Sequence, residues 1–374
     1  MKQGCRFAMC MAGILLVWTG AASLEPIGLS EDGSEFVKME SGERFFAWGF
    51  NYDRHHDGRL IEDYWHEQWD TIAQDFQNMK ELGANLVRIH LQFGRFMPEP
   101  GEFNEANLDQ LARLVGLAED TGLYLNLTGL ACYHKHDVPE WYDALDEAER
   151  WETQAAWWKA VADAAAGSPA VFCYNLMNEP ILAGSNDPDE WLPGEGFGGK
   201  HFVQRITLDL GERTRHEVAR AWVDTLAGAI REVDENAMIT VGAIPWVFHF
   251  GGGSPLFYSE EVGENLDFTS VHFYPQSGEV DAAVSALEVY DVGKPLVVEE
   301  TFPLRCDIDE LAEFFERSMP ILDGITGFFW GETIEDLEAK DRTIGDEMTL
   351  RWLRLFRDMT PEMQAAVTNG GESR

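Results

Sequence analysis

The chain has 374 residues, 45% of them hydrophobic and 12% aromatic, which is enough to bury a large core and too apolar for a disordered chain. Its 66 acidic residues against 28 basic ones give a formal charge of −38, which repels nucleic acid and anionic membranes. The same charge makes anionic polysaccharides poor substrates unless a local basic patch intervenes.

The N-terminus reads as an export signal. Lys2 and Arg6 precede an apolar run from Phe7 to about Gly20, and Ala21, Ala22 and Ser23 offer a cleavage site. Residues 1–23 are therefore expected to be removed, leaving a secreted or periplasmic protein without stable membrane association. No later stretch approaches the roughly 20 apolar residues of a membrane span. Cys132, Cys173 and Cys306 remain after cleavage, an odd number without metal-type spacing, so neither a disulfide framework nor zinc is indicated.

Next, EFVKMESGERFFAWG predicts a hairpin turning at Ser41-Gly42 and leading into a first strand. Eight apolar runs suited to buried parallel strands follow: 45–50, 85–91, 124–130, 171–177, 238–243, 268–273, 295–300 and 325–330. Amphipathic stretches alternate with most of them, near 66–82, 105–121, 147–166, 212–234, 280–291, 307–320 and 347–358. Gly83, Gly122 and Gly293 mark helix ends before strands. Long connections follow the first, fourth and fifth strands, at 51–65, 181–211 and 244–258. The pattern predicts one (β/α)₈ TIM barrel over 24–360, with an N-terminal β-hairpin and long catalytic-face loops, then a polar tail over 361–374. An open doubly wound sheet is the alternative, but no glycine-rich nucleotide loop follows the first strand.

Active sites of such barrels lie at the C-terminal ends of the strands. Asn178 and Glu179 close the fourth strand, and Glu299 and Glu300 close the seventh. A carboxyl at the end of a buried apolar strand is costly unless paired or used. Two carboxylates facing across a barrel mouth are the equipment of glycoside cleavage: one protonates the leaving oxygen, and the other attacks the sugar carbon or activates water.

These strand ends resemble the family 5 glycoside hydrolases, the cellulase and mannanase type. NLMNEP is similar to the Asn-Glu-Pro signature that carries the acid/base, and KPLVVEETF to the segment that carries the nucleophile. The resemblance spans about residues 40 to 357. It implies Glu179 as acid/base, protonated at rest, and Glu300 as an ionised nucleophile supported by Arg88 and Tyr274. It also implies Asn178 on a sugar 2-hydroxyl, His272 beside Glu179 and Trp330 as floor of the reactive subsite. One departure stands at the third strand. The family's Asp-x-His is replaced by Asn126 and Thr128, which leaves His134 as the candidate on a lengthened loop. Asn51 and Tyr52 are subsite candidates by position, as are the loop tryptophans Trp65, Trp141, Trp191 and Trp246, whose indoles stack on sugar faces.

The reading is a monomeric, retaining β-glycosidase for a neutral glucan- or mannan-type carbohydrate, working without cofactor or metal. Two rivals stand beside it. One is an exo-glycosidase, β-galactosidase or transglycosylase of the same clan, and the other is a non-catalytic carbohydrate-binding barrel.

Overall fold

A computed structural model describes residues 24–53, 55–183, 190–250 and 253–369. The expected export signal lies outside them.

The eight strands form where the apolar runs predict: β1 (Ala47–Tyr52), β2 (Leu86–Gln92), β3 (Tyr124–Ala131), β4 (Val171–Asn178), β5 (Ile239–Gly242), β6 (Thr269–His272), β7 (Leu296–Thr301) and β8 (Gly324–Phe328). They pair in parallel in chain order from β1 to β5 and from β6 through β7 and β8 back to β1. The last seam, between β5 and β6, closes through a bridge of Ala243 with Val271 and the bond from His272 N–H to the Ala243 carbonyl at 3.0 Å. The result is a (β/α)₈ barrel around which the described residues form seven long helices: α1 (Trp69–Glu81), α2 (Glu105–Thr121), α3 (Glu147–Ala165), α4 (Arg215–Arg231), α5 (Val280–Glu288), α6 (Ile308–Ser318) and α7 (Ile344–Asn369). Among its described residues, the β5–β6 connection carries a one-turn helix (Trp246–His249) and short 3-10 turns. No helix of the described residues is long and apolar enough to cross a membrane.

Local chemistry sets the helix starts. Asp146 with Glu149, Thr214 with Glu217 and Asp307 with Glu310 form reciprocal capping boxes at α3, α4 and α6. Gly122 ends α2 at φ 72°, a left-handed conformation that costs glycine little.

The strand alternation separates two cores. Outward side chains pack on the helices: Trp48 stacks on Phe356 at 4.3 Å, and Phe50 lies 4.1 Å from the same ring. Inward side chains are apolar at the N-terminal end and polar toward the C-terminal end. The N-terminal end is plugged by the ribbon before β1, where Phe36 meets Phe172 at 5.0 Å and Phe268 at 5.1 Å.

Two expectations change. The Ser41-Gly42 turn forms, with the Gly42 N–H on the Lys38 carbonyl at 2.8 Å, but the ribbon has a further strand. Ile27–Leu29 pairs with Phe36–Lys38, because Ile27 gains burial in the plug. The tail expected from 361 is also shorter: α7 runs to Asn369 through Pro361, and Met363 is buried. The polar composition there conceals one apolar anchor that holds the helix to the barrel. The three cysteines are free thiols.

Close approach makes one glycine intolerant and leaves another open. A Cβ on Gly327 of β8 would meet the Trp352 ring at 1.8 Å, whereas one on Gly116 of α2 would meet nothing within 4 Å. Gly327→Ala is expected to lower the urea midpoint by the equivalent of about 1–3 kcal/mol or more. Gly116→Ala is expected to raise it by up to about 1 kcal/mol. A neutral Gly327→Ala would mean that the mantle beside β8 has slack which this packing does not show.

Candidate active site

The barrel mouth is organised by a fully buried arginine. Arg88 projects inward from β2 and donates Nη1 to Glu300 Oε1 at 2.6 Å and to Asn51 Oδ1 at 2.8 Å. Its Nη2 reaches Asn178 Oδ1 at 2.9 Å and lies 3.4 Å from Glu299 Oε2, while Nε donates to Thr128 at 2.9 Å. Burial opposes its charge, but the two glutamates outweigh that and raise its proton affinity.

Glu299 and Glu300 are consecutive, and strict alternation would send them to opposite faces of β7. The ladder instead breaks here: His272 pairs with Glu300 after Val271 has paired with Val298, so a residue is skipped. Both carboxylates consequently face the barrel interior. Glu299 is fully buried and accepts from Asn175 Nδ2 at 2.8 and 2.9 Å and from Asn126. Burial pushes its carboxyl up, but Arg88 and His272 prevail and hold it down at about 2.

Glu179 is aimed by a second irregularity. The β4–β5 register shifts between Asn175 and Asn178, and Glu179 takes φ 47°, left-handed for a non-glycine residue. Its amide donates to the Gly242 carbonyl at 2.8 Å, which fixes the turn. Its Oε1 meets His272 Nδ1 at 2.9 Å, and that nitrogen lies 3.6 Å from Glu300 Oε2. The other nitrogen of His272 lies 3.4 Å from Glu299. Burial disfavours charge on this histidine, yet Glu300 and the bonds to Glu179 and Glu299 raise its pKa to about 9. His272 therefore donates from both nitrogens in the neutral range. Tyr274 donates its hydroxyl to Glu300 Oε2 at 2.8 Å. One atom each of Glu179, His272 and Glu300 fall within 4.8 Å of one another. Gly242 leaves room for this cluster, since a Cβ there would lie 2.7 Å from His272 Nε2 and 2.8 Å from Glu299 Oε2.

Seven expected residues thus converge: Arg88, Asn178, Glu179, His272, Tyr274 and Glu300, with Asn51 below them. Asn178 is already engaged, donating Nδ2 to the Phe202 carbonyl at 3.0 Å, so its second amide hydrogen is the one left for a sugar hydroxyl. Asn51 is fully buried and spans Arg88, His90 and the carbonyls of Glu299 and Gly327, so it positions the site and does not line it.

Three expected residues lie elsewhere. Trp330 is 1% exposed; its amide bonds the Asn51 carbonyl at 2.8 Å, which carries its ring outward onto Phe50 at 5.4 Å. Phe328, at the end of β8, lines the cavity in its place. His134 sits beside the 3-10 turn Lys135–Asp137, 3.5 Å from Asp137. The preceding Tyr133 turns inward instead, its amide held by Gln92 Oε1 at 3.0 Å and its hydroxyl on His90. Trp246 lines a neighbouring, mainly apolar cavity of about 790 Å³, with Phe250 and Tyr290, where the β5–β6 connection lacks a long helix. Of the other loop tryptophans, Trp65 and Trp191 are buried. Tyr52 faces the mantle and donates to Asp75 at 2.6 Å.

The carboxylate cavity, about 350 Å³, is lined by Glu179, Glu300, Phe202, Phe328, His249 and Arg305 among others. His90, Phe328, His249 and Arg305 were missed in the sequence. His90 alternates with Arg88 on β2, which was the available signal; the others stand in loops or at a strand end without a motif. Two clusters approach metal-ligand spacing, His134 with His136 and Asp137, and the Glu179–His272–Glu300 trio. In the first, Arg95 already holds Asp137 at 3.2 Å. In the second, a metal would have to displace the proton that the carboxylates hold on His272.

The sequence over residues 40–300 matches the family model described as cellulase (glycosyl hydrolase family 5). This chain belongs to glycosyl hydrolase family 5. The family 5 enzyme is accordingly a glycosidase on a TIM barrel. No curated protein matches its sequence at a significant level. Among solved structures, the exo-β-1,4-mannosidase from Opitutaceae bacterium strain TAV5 is similar with a TM-score of 0.65 at 18% identity. That match covers 91% of this chain and 63% of the other, so the enzyme spans less than two thirds of that relative. A GH5_18 protein from Bifidobacterium longum subsp. longum, in complex with Manβ1-4GlcNAc, gives 0.63 at 17% identity, covering 86% of this chain and 79% of that one. The β-mannanase of the blue mussel Mytilus edulis gives 0.57 at 16%, covering 90% and 97%.

The charge network has a stability signature. Folding raises His272 from 6.5 to about 9, so its proton contributes stability that is complete below pH 6.5 and lost as pH rises through 9. Glu299 works in the opposite sense: depressed from 4.5 to about 2, it contributes above 4.5 and loses that as pH falls through 2. His272→Gln is expected to remove the alkaline fall in unfolding free energy between pH 6.5 and 9, measured by urea titration at several pH values. An unchanged slope in that window would show that His272 is neutral in the folded protein.

Proposed function

We propose that this family 5 enzyme is a retaining β-glycosidase acting on β-mannosidic oligosaccharides, with Glu179 as acid/base and Glu300 as nucleophile. The observation that carries the reading is the approach of Glu179 and Glu300 to within 4.8 Å around His272 in one cavity. Retaining enzymes hold their carboxyls about 5–5.5 Å apart, whereas inverting ones leave room for a water between them at about 6.5–9.5 Å. The mannoside assignment draws on the neighbours, a mannosidase, a protein bound to Manβ1-4GlcNAc and a mannanase.

In this scheme Glu300, paired with Arg88 and oriented by Tyr274, attacks the anomeric carbon while Glu179 gives its proton to the leaving oxygen. The glycosyl–Glu300 ester forms as the aglycone departs. Glu179, now a carboxylate, is stabilised by the imidazolium of His272, and this favours the proton transfer just made. It then takes a proton from water, whose oxygen displaces Glu300 and restores the starting state. Export is part of the proposal, on the basic, apolar and small-residue order of residues 1–23.

Glu179→Ala and Glu300→Ala are each expected to lower hydrolysis of an aryl β-mannoside at least about a hundredfold, on the scale of general acid/base catalysis. Azide should rescue the Glu300 variant with a product of inverted anomeric configuration. Retention of activity in both variants would remove these two residues from the chemistry. A parallel panel of glucan, galactan and xylan oligosaccharides would displace the mannoside assignment if one of them were the better substrate.

A further inference from the structure

Arginines and lysines in this acidic chain are mostly engaged. Arg44 meets Glu35 and Asp323, Arg95 meets Asp63 and Asp137, Arg113 lies over the Trp69 ring, and Lys294 donates to backbone carbonyls. Arg305 is different. Among the described residues its guanidinium makes no ion pair, hydrogen bond or ring contact, although acids outnumber bases 66 to 28. It lines the cavity that holds Glu179 and Glu300.

Its backbone, unlike its side chain, is fixed. The Arg305 carbonyl accepts from Ser277 N–H at 2.9 Å, and Leu304 N–H closes on the Phe302 carbonyl at 2.7 Å. The loop after β7 is thereby tied to the loop after β6, which also carries Tyr274. His249 enters the same cavity from the β5 side. It is close enough for the charges of Arg305 and Glu179 both to act on it, and burial together with Arg305 disfavours its protonation. His249 is thus a hydrogen-bonding group whose charging is disfavoured, beside a cation that has no partner among the described residues.

A guanidinium offers a planar fork of donors that fits the oxygens of a carboxylate or sulfate, and such charge-assisted bonds exceed those to neutral hydroxyls. The general surface charge repels anions, but that field is screened beyond roughly 8–10 Å, whereas an exposed guanidinium at the cavity rim meets a bound anion at contact distance. We propose that Arg305, with His249 beside it, forms an anion-recognising subsite at the rim of the catalytic cavity, so that the preferred β-linked oligosaccharide carries a carboxylate or sulfate substituent near the cleaved bond. This rests on Glu179 and Glu300 being the reacting pair, and it narrows the substrate from a neutral mannoside to an acidic one.

The test compares β-1,4-mannotetraose with its C6-carboxylate and 6-O-sulfate forms, on wild type and Arg305→Gln, at low and high salt. At least one anionic form should exceed the neutral one in kcat/KM by roughly tenfold, the scale of a hydrogen bond to a charged group. That ratio should collapse in Arg305→Gln and shrink with salt. Whichever anionic form leads identifies the substituent. A neutral preference in wild type, or a ratio that Arg305→Gln leaves unchanged, overturns the subsite. If no β-glycoside is turned over, including a neutral aryl β-mannoside, the reading of the reacting pair fails instead. Calorimetric binding of the three tetraoses to Glu300→Gln then decides the subsite alone, because equal or weaker binding of both anionic forms would overturn it.

Discussion

The catalytic end of the barrel depends on one buried guanidinium. Arg88 is fully buried, yet it has acceptors on four strands: Asn51 on β1, Thr128 on β3, Asn178 on β4 and the glutamates of β7. An isolated cation in such a place would be prohibitive, and a single ion pair would roughly break even. With its donors directed at acceptors in a fixed fork, the group becomes a strut that ties five of the barrel's eight strands together. Lysine could not replace it, because a point charge cannot hold Glu300, Asn51 and Asn178 in one plane.

The polar axis and the apolar mantle solve different problems. Outside the strands, aromatic stacking of Trp48, Phe50 and Phe356 supplies non-directional burial that tolerates small shifts. Inside, three carboxylates, one arginine and one histidine must balance charge within a few ångströms. His272 does this by carrying a proton between Glu179 on one nitrogen and Glu299 on the other. Glu299, fully buried, joins Glu300 and Glu179 in holding that proton on His272, and joins Glu300 in compensating Arg88. The cavity above remains open to solvent on the side where Arg305 and His249 stand.

Most of the architecture was legible from eight apolar runs alternating with amphipathic ones, since burial on both faces leaves that mark on a parallel strand. The candidate carboxylates stood out because a glutamate ending such a run is expensive unless paired or used, while the choice of Glu300 over Glu299 came from the family resemblance. Three side chains misled for a common reason. Trp330, His134 and Trp246 have residue types that suit a sugar site and stand near strand ends, but a direction is not written in a residue type. The backbone bond of Trp330 to Asn51 turns its ring outward, and the bonds of Tyr133 turn that residue inward in place of His134. Arg305 and His249 carried no motif at all.

The sequence by itself determined the barrel and its strand order, and set glutamates at the ends of two strands, because hydrophobic period and strand-end chemistry are local properties. Only the tertiary structure decided how closely those carboxylates approach, and that Glu299 joins them in the interior. Two breaks in strand register, near Asn178 and His272, bring Glu299 and Glu300 to the same interior and turn Glu179 to meet His272. Such breaks arise from fitting eight twisted strands around charged groups, a constraint that involves the whole barrel and leaves no trace in any one segment.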